Sequence, residues 1–240
     1  MKKTVFLSVM MIGCLSSNAK TLIVYYSYTN NVEKIVNELS RKIEAEVVEI
    51  EPAEKGLDYA ANNYATGSAQ IEAIKSNPDE SSSYPSIDPV NVNLDGFDTI
   101  IIAAPLWWSQ MAAPLQTYLF HNGREMAGKN IGLIVSSASS GIGGVEADAK
   151  RLIPEGQFLT PSLWIRSSQT SSASSMIDNW LKDIEYEKLT SGIERVSNNV
   201  YPDFTVYTLS GKPLMYKSKS IDSLHAGIYI INGYKTYISQ

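Results

Sequence analysis

Residues 98–120 read DTIIIAAPLWWSQMAAPLQTYLF. The run at 99–104 is short, apolar and rich in β-formers, the composition of a strand buried on both faces of a sheet. Residues 111–120, entered through Ala112, Ala113 and Pro114, place Leu115, Tyr118 and Leu119 at helical spacing. Between strand and helix lies a predicted loop, residues 105–110, with two adjacent tryptophans. Strand, loop and helix in this order form one unit of a parallel α/β sheet.

The unit repeats on both sides. Residues 21–26 form a buried strand, and residues 31–43 a helix with Val32, Ile35, Val36, Leu39 and Ile43 on one face. Val47, Val48 and Ile50 alternate with glutamates at 46–51, which reads as an edge-side strand. Further on, 130–136 is a strand and 144–152 a helix. Residues 158–165 hold a short fifth strand interrupted by Pro161, and 171–184 form a last helix that Ser171 or Ser172 would cap. Five strands alternating with helices predict a three-layer sandwich around a parallel sheet of order 2-1-3-4-5. The polar stretch 52–94 is too long for a structureless loop. It predicts a helix over 68–75 and a cover over the site.

Past Tyr186 no helical period remains. Short strands are predicted at 205–209, 213–216, 227–231 and 234–238, with turn pairs Ser210-Gly211 and Asn232-Gly233. The reading divides the chain into residues 1–19, a main domain at 20–185, and a small all-β appendage at 186–240.

Residues 1–19 have the form of a signal peptide. Lys2 and Lys3 precede an apolar run of about a dozen residues, too short to span a bilayer, and Ser17 and Ala19 are small where a peptidase reads. The only cysteine, Cys14, lies inside this segment. Cleavage after Ala19 would leave a chain without disulfide or thiol chemistry. The alternative is a lipobox at Met11-Ile12-Gly13-Cys14, which would give a lipid anchor at Cys14 and with it the one route to a membrane. Either way the expected location is extracytoplasmic: periplasm, cell surface or secreted. A net charge of -5 and a pI near 5.1 argue against a nucleic-acid partner.

Ligands of such sheets bind beyond the carboxyl ends of the strands. After strand one come Ser27, Tyr28, Thr29, Asn30 and Asn31 at a helix start, where hydroxyls and unpaired amides suit a phosphate; plain capping explains them equally well. After strand three come Pro105, Leu106, Trp107 and Trp108. A flat aromatic ligand would give these rings a stacking partner, although one of them is expected in the core. After strand four, residues 136–144 read SSASSGIGG, small enough for close backbone approach. His121 and His225, the only histidines, lie far apart and form no zinc or triad pattern.

Residues 22–32, LIVYYSYTNNV, resemble the strand and phosphate loop of the flavodoxin family, commonly S-x-T-G-N-T. Together with residues 98–120 and 136–144, they resemble its bacterial subfamily with a P-x-W-W loop. The resemblance covers residues 21–183 and implies a flavodoxin-like sandwich holding FMN. The phosphate would lie on Ser27, Tyr28, Thr29, Asn30 and Asn31. Pro105, Leu106, Trp107 and Trp108 would flank the ribityl chain and ring, with Ser137, Ser139 and Gly141 closing the other side. Val32 stands where a threonine hydroxyl is usual, and Asn30 where glycine is usual. The implied function is an FMN-dependent electron carrier, or a reductase of a small acceptor such as a quinone, with an unknown redox partner. The alternative is a non-enzymatic module of the same fold that has lost or weakened FMN binding. Residues 204–214 and 224–238 resemble the C-terminal sorting domains of secreted Bacteroidetes proteins.

Overall fold

The protein is described from a computed structural model covering residues 19–190, 203–221 and 223–238. The expected signal peptide, except for Ala19, and Cys14 lie outside the described residues. Two compact units emerge, the first spanning Ala19–Ile193 and the second holding the C-terminal strands.

In the first unit, β1 (Thr21–Tyr25) leads to α1 (Asn31–Ser40) and β2 (Glu46–Glu49). The polar stretch 52–94 contains α2 (Ala61–Ser76), longer than the helix predicted at 68–75. Next come β3 (Thr99–Trp107), β4 (Gln110–Met111) and α3 (Ala113–Asn122). They are followed by β5 (Asn130–Ser137), α4 (Gly143–Leu152), β6 (Gln157–Phe158) and β7 (Leu163–Arg166). The unit closes with α5 (Ala173–Asp183) and α6 (Tyr186–Thr190).

The parallel sheet has the order β2-β1-β3-β5-β6, with β7 also pairing β5. This is the expected 2-1-3-4-5 order, its fifth position shared by two short strands on either side of Pro161. Alternation along β1 and β3 separates two cores. Leu22, Val24, Ile100 and Ile102 pack beneath α2, α3 and α4, whereas Ile23, Ile101 and Ala103 pack beneath α1 and α5. Both faces are covered, which is why these strands are apolar throughout.

Three boundaries differ from the sequence reading. Met111 is strand rather than helix, because β3 runs past residue 104 and turns back on itself. Neither predicted serine caps α5: a 3₁₀ turn, Ser167–Ser172, precedes the helix, and its flanking Ser172 makes no side-chain cap bond. Tyr186, placed at the start of the appendage, is buried in the first unit, where its hydroxyl pairs with Thr21 Oγ1 at 2.7 Å.

The second unit is an antiparallel sheet of order β11-β10-β8-β9: β8 (Phe204–Thr208), β9 (Pro213–Ser218), β10 (Gly227–Ile231) and β11 (Tyr234–Ile238). Asn232 and Gly233 both have positive φ, the geometry of a two-residue hairpin turn. Among the described residues, no helix is long and apolar enough to cross a membrane.

Candidate functional site

At the carboxyl end of β1 the chain enters α1 through Asn30, whose φ of 59° is left-handed. Asparagine adopts this region more readily than most residues, so it replaces glycine here at modest cost. Ser27 Oγ accepts the Glu33 amide at 3.2 Å, and Asn31 Nδ2 donates to Thr29 Oγ1 at 3.1 Å. Among the described residues, the amides of residues 28–32 find no acceptor. They lie where the α1 dipole is positive, a combination suited to an anion. Asn30 itself makes no side-chain cap bond.

Beyond the end of β3, the segment read as a loop is a hairpin. Leu106 pairs with Met111 and Trp107 with Gln110, and the turn is Trp108-Ser109 with φ of 46° and 65°. Positive φ at both turn positions is type I′ geometry, which normally selects Asn-Gly. A tryptophan there costs of order 1–3 kcal/mol and persists only where surrounding structure enforces it. One enforcing contact is Gly144 at the start of α4: a Cβ at that position would lie 1.8 Å from the Ser109 carbonyl oxygen. Trp107 is half-buried and packs against Tyr26, at 5.6 Å between centroids, and Tyr59, at 4.7 Å. Trp108 meets Trp107 edge-on at 6.4 Å and is 46% exposed.

The stretch after β2 covers this hairpin. Residues 62–64 at the start of α2 are left-handed, including Tyr64 at φ 62° with 52% exposure. Gly67 lies against both tryptophans, where a Cβ would stand 3.1 Å from the Trp108 ring. Tyr28 Oη donates to Asp58 Oδ1 at 2.9 Å and accepts the Ala60 amide at 2.9 Å, joining the first loop to the cover. The Tyr28 hydrogen bond, followed by that of the Ala60 amide, holds the Asp58 carboxyl below its usual range. Burial pushes the Tyr59 phenol up. Among the described residues, neither Tyr59 Oη nor Gln70 Oε1 has a hydrogen-bond partner.

A cavity of about 690 Å³ lies among these elements. It brings together Ser27, Tyr28, Thr29, Asn31 and Val32 from the first loop and helix, and Pro105, Leu106, Trp107 and Trp108 from the hairpin. Ser137, the last residue of β5, lines it with its hydroxyl already engaged: it accepts Trp164 Nε1 at 2.8 Å and donates to the Ser140 carbonyl at 3.0 Å. Asn30, Ser139 and Gly141 do not line it. The cover adds Tyr59, Ala60, Tyr64 and Gly67, and the segment after β7 adds Ser167, all of which sequence reasoning missed. Ser136 and Ala138, which also line it, lie in the 136–144 stretch singled out in the sequence but were not named individually as contacts. Among the described residues, no cluster of His, Cys, Asp or Glu could hold a metal ion. The site offers hydroxyls, amides and aromatic rings, a set that binds and orients a ligand.

Comparison with known proteins agrees with this architecture. Residues 20–184 match the family model described as Flavodoxin. A candidate flavoprotein from Bacteroides eggerthii DSM 20697 superposes with a TM-score of 0.56 at 22% identity, covering 70% of this chain and 99% of that one. A flavoprotein from Lactobacillus acidophilus NCFM, crystallised in complex with FMN, gives 0.52 at 23% identity, covering 68% and 98%. A candidate flavoprotein from Bacteroides uniformis ATCC 8492 gives 0.52 at 22%, covering 67% and 99%. At these identities the likeness is one of fold. No curated protein matches the sequence.

Proposed function

The chain belongs to the flavodoxin family, and from that premise we propose that it binds FMN in the cavity between the first loop and the tryptophan hairpin, as an electron carrier or a reductase of a small acceptor such as a quinone. One observation carries the reading. Acceptor-free amides at the start of α1 and a strained, exposed tryptophan line the same cavity. The first suits a phosphate dianion and the second a flat ring. The cavity volume lies within the ordinary range of cofactor sites, about 300–1,000 Å³.

In this reading Ser27, Tyr28, Thr29 and Asn31 hold the phosphate, and Asn30 shapes the loop that presents their amides. Pro105 and Leu106 border the ribityl chain. Trp107 and Trp108 flank the ring, with Ser137 and its neighbours opposite. Tyr59, Tyr64 and Gly67 keep water from the ring face. Bound FMN supplies the redox chemistry, and the chain supplies binding, orientation and electrostatics. Among the described residues no cation lines the cavity, so amides and hydroxyls carry the anion.

Within the family, Pro105-Leu106-Trp107-Trp108 supports placement in the P-x-W-W subfamily. The leader at 1–19 supports an extracytoplasmic address, with Cys14 as the lipid-anchor alternative. The resemblance of the C-terminal strands to a sorting domain points the same way. A second reading, a module with weakened cofactor binding, is favoured by Val32. That side chain is 2% exposed and offers no hydroxyl. The absorption spectrum of the purified full chain, before and after added FMN, separates the two. Flavin bands that stay with the protein through gel filtration support the first reading; their absence after addition supports the second.

A further inference from the structure

Met111 closes the tryptophan hairpin, and side chains meet both of its backbone polar groups. Asp148 Oδ2 accepts the Met111 amide at 2.9 Å, and Gln116 Nε2 donates to the Met111 carbonyl at 2.7 Å. Arg151 Nη2 joins the other ends of these two side chains, donating to Gln116 Oε1 at 2.8 Å and Asp148 Oδ1 at 3.3 Å. The result is a closed ring, Met111 to Asp148 to Arg151 to Gln116 and back. Gln116 is 1% exposed, and burial pushes the Asp148 carboxyl up against the amide and guanidinium that keep it charged. A third donor of the same guanidinium, Nη1, reaches Tyr84 Oη at 3.0 Å in the polar stretch before β3. Tyr84 Oη in turn donates to the Pro78 carbonyl at 2.6 Å. Asp148, Gln116 and Arg151 do not line the cavity.

A buried carboxylate and a buried amide are costly unless every lone pair and proton is matched, so a ring of this kind has one low-energy arrangement. That arrangement fixes Met111, and Met111 fixes the register of a turn whose backbone is strained. We propose that the ring positions Trp107 and Trp108 for the flat part of the ligand, making Asp148, Gln116 and Arg151 positioning residues of a site they do not touch. The inference rests on the flavin reading of the cavity. The planar guanidinium is essential to it, because its acceptors are divided between two nitrogens, Nη1 for Tyr84 and Nη2 for Gln116 and Asp148, a span that the single nitrogen of an ammonium does not reproduce.

The test uses the full chain carrying Arg151→Met, Arg151→Lys or Gln116→Glu. The last keeps the Arg151 contact while setting an acceptor against the Met111 carbonyl, and Gln116→Leu, which removes both bonds without adding a buried charge, is measured beside it so that the test stands if the charged or arginine variants unfold. Hydrogen exchange over residues 106–111 is measured without ligand, and FMN affinity is measured on the folded fraction. Each variant should lose protection at 106–111 by about tenfold while β5 keeps its own, and should bind FMN about tenfold more weakly. Arg151→Lys should resemble Arg151→Met. Parent-like exchange and affinity with only a lower melting temperature would overturn the proposal, as would full recovery by lysine. If the parent itself binds no FMN, the flavin reading fails, and exchange alone decides whether the ring holds the hairpin.

Discussion

Trp108 occupies backbone that bulky residues rarely adopt, with φ 46° and nearly half its surface exposed. Neither feature stabilises the fold, so both point to a binding role. The backbone tolerates it because α4 begins with glycine. Gly144→Ala places a methyl group 1.8 Å from the Ser109 carbonyl oxygen and must displace the turn or the helix. We expect a loss of about 1–3 kcal/mol in urea denaturation, together with weakened FMN binding. A parent-like midpoint would show that the turn moves freely. Val32 is the opposite case, a residue whose chemistry falls short of its place. It lines the cavity from a buried position at the start of α1. Val32→Thr should tighten FMN binding by about ten- to a hundredfold, the worth of one hydrogen bond to a charged group. Unchanged affinity would mean that no hydroxyl is missing.

Among the elements, the tryptophan hairpin and its cover were the hardest to read. Two-residue hairpins announce themselves by Asn-Gly, as Asn232-Gly233 does between β10 and β11. Trp108-Ser109 carries no such signal, so the segment read as a loop and Met111 as helix. Close contacts with Gly67 of α2 and Gly144 of α4 surround this turn where local preference opposes it. The cover was expected from its length alone. Its contributing residues Tyr59, Tyr64 and Gly67 follow no period, and their role arises from contact with rings far along the chain. Ser167 has the same cause, since it reaches the cavity only because β7 pairs beside β5. The first loop was legible because hydroxyls crowd a helix start next to a buried strand. At this scale Gly67→Val is the informative change. Its added carbons push α2 away from both tryptophans, so FMN affinity should fall by about tenfold while the sheet, which Gly67 does not support, keeps its stability. A calorimetric midpoint falling as steeply as affinity would contradict that division.

For the whole molecule, the sheet was legible because both its faces are buried. Runs such as Ile100-Ile101-Ile102 serve two cores at once and cannot be mistaken for amphipathic helix. The split of the fifth strand was visible at Pro161; its division into a two-residue β6 and a four-residue β7, both pairing β5, was not. Double-sided burial has a consequence at high pH. Burial is the leading cause that pushes the phenols of Tyr25, Tyr26, Tyr118 and Tyr186 up from 10.0, Tyr118 to about 12. The unfolded chain releases these protons near pH 10 while the folded chain retains them. Stability from this source is therefore full below that pH and is lost as pH rises through the folded values. Urea midpoints should stay level from about pH 8 to about 9.5 and then decline, with tyrosinate absorbance from these residues appearing together with unfolding. Their ionisation well ahead of unfolding would contradict the burial. The most direct measurement on the site itself is titration of the purified full chain with FMN, followed by tryptophan fluorescence. Saturable one-to-one quenching is expected, with a Kd of about micromolar or tighter, and Trp108→Ala should lose most of the quenching and much of the affinity. No saturable quenching up to about millimolar FMN would contradict flavin binding in this cavity.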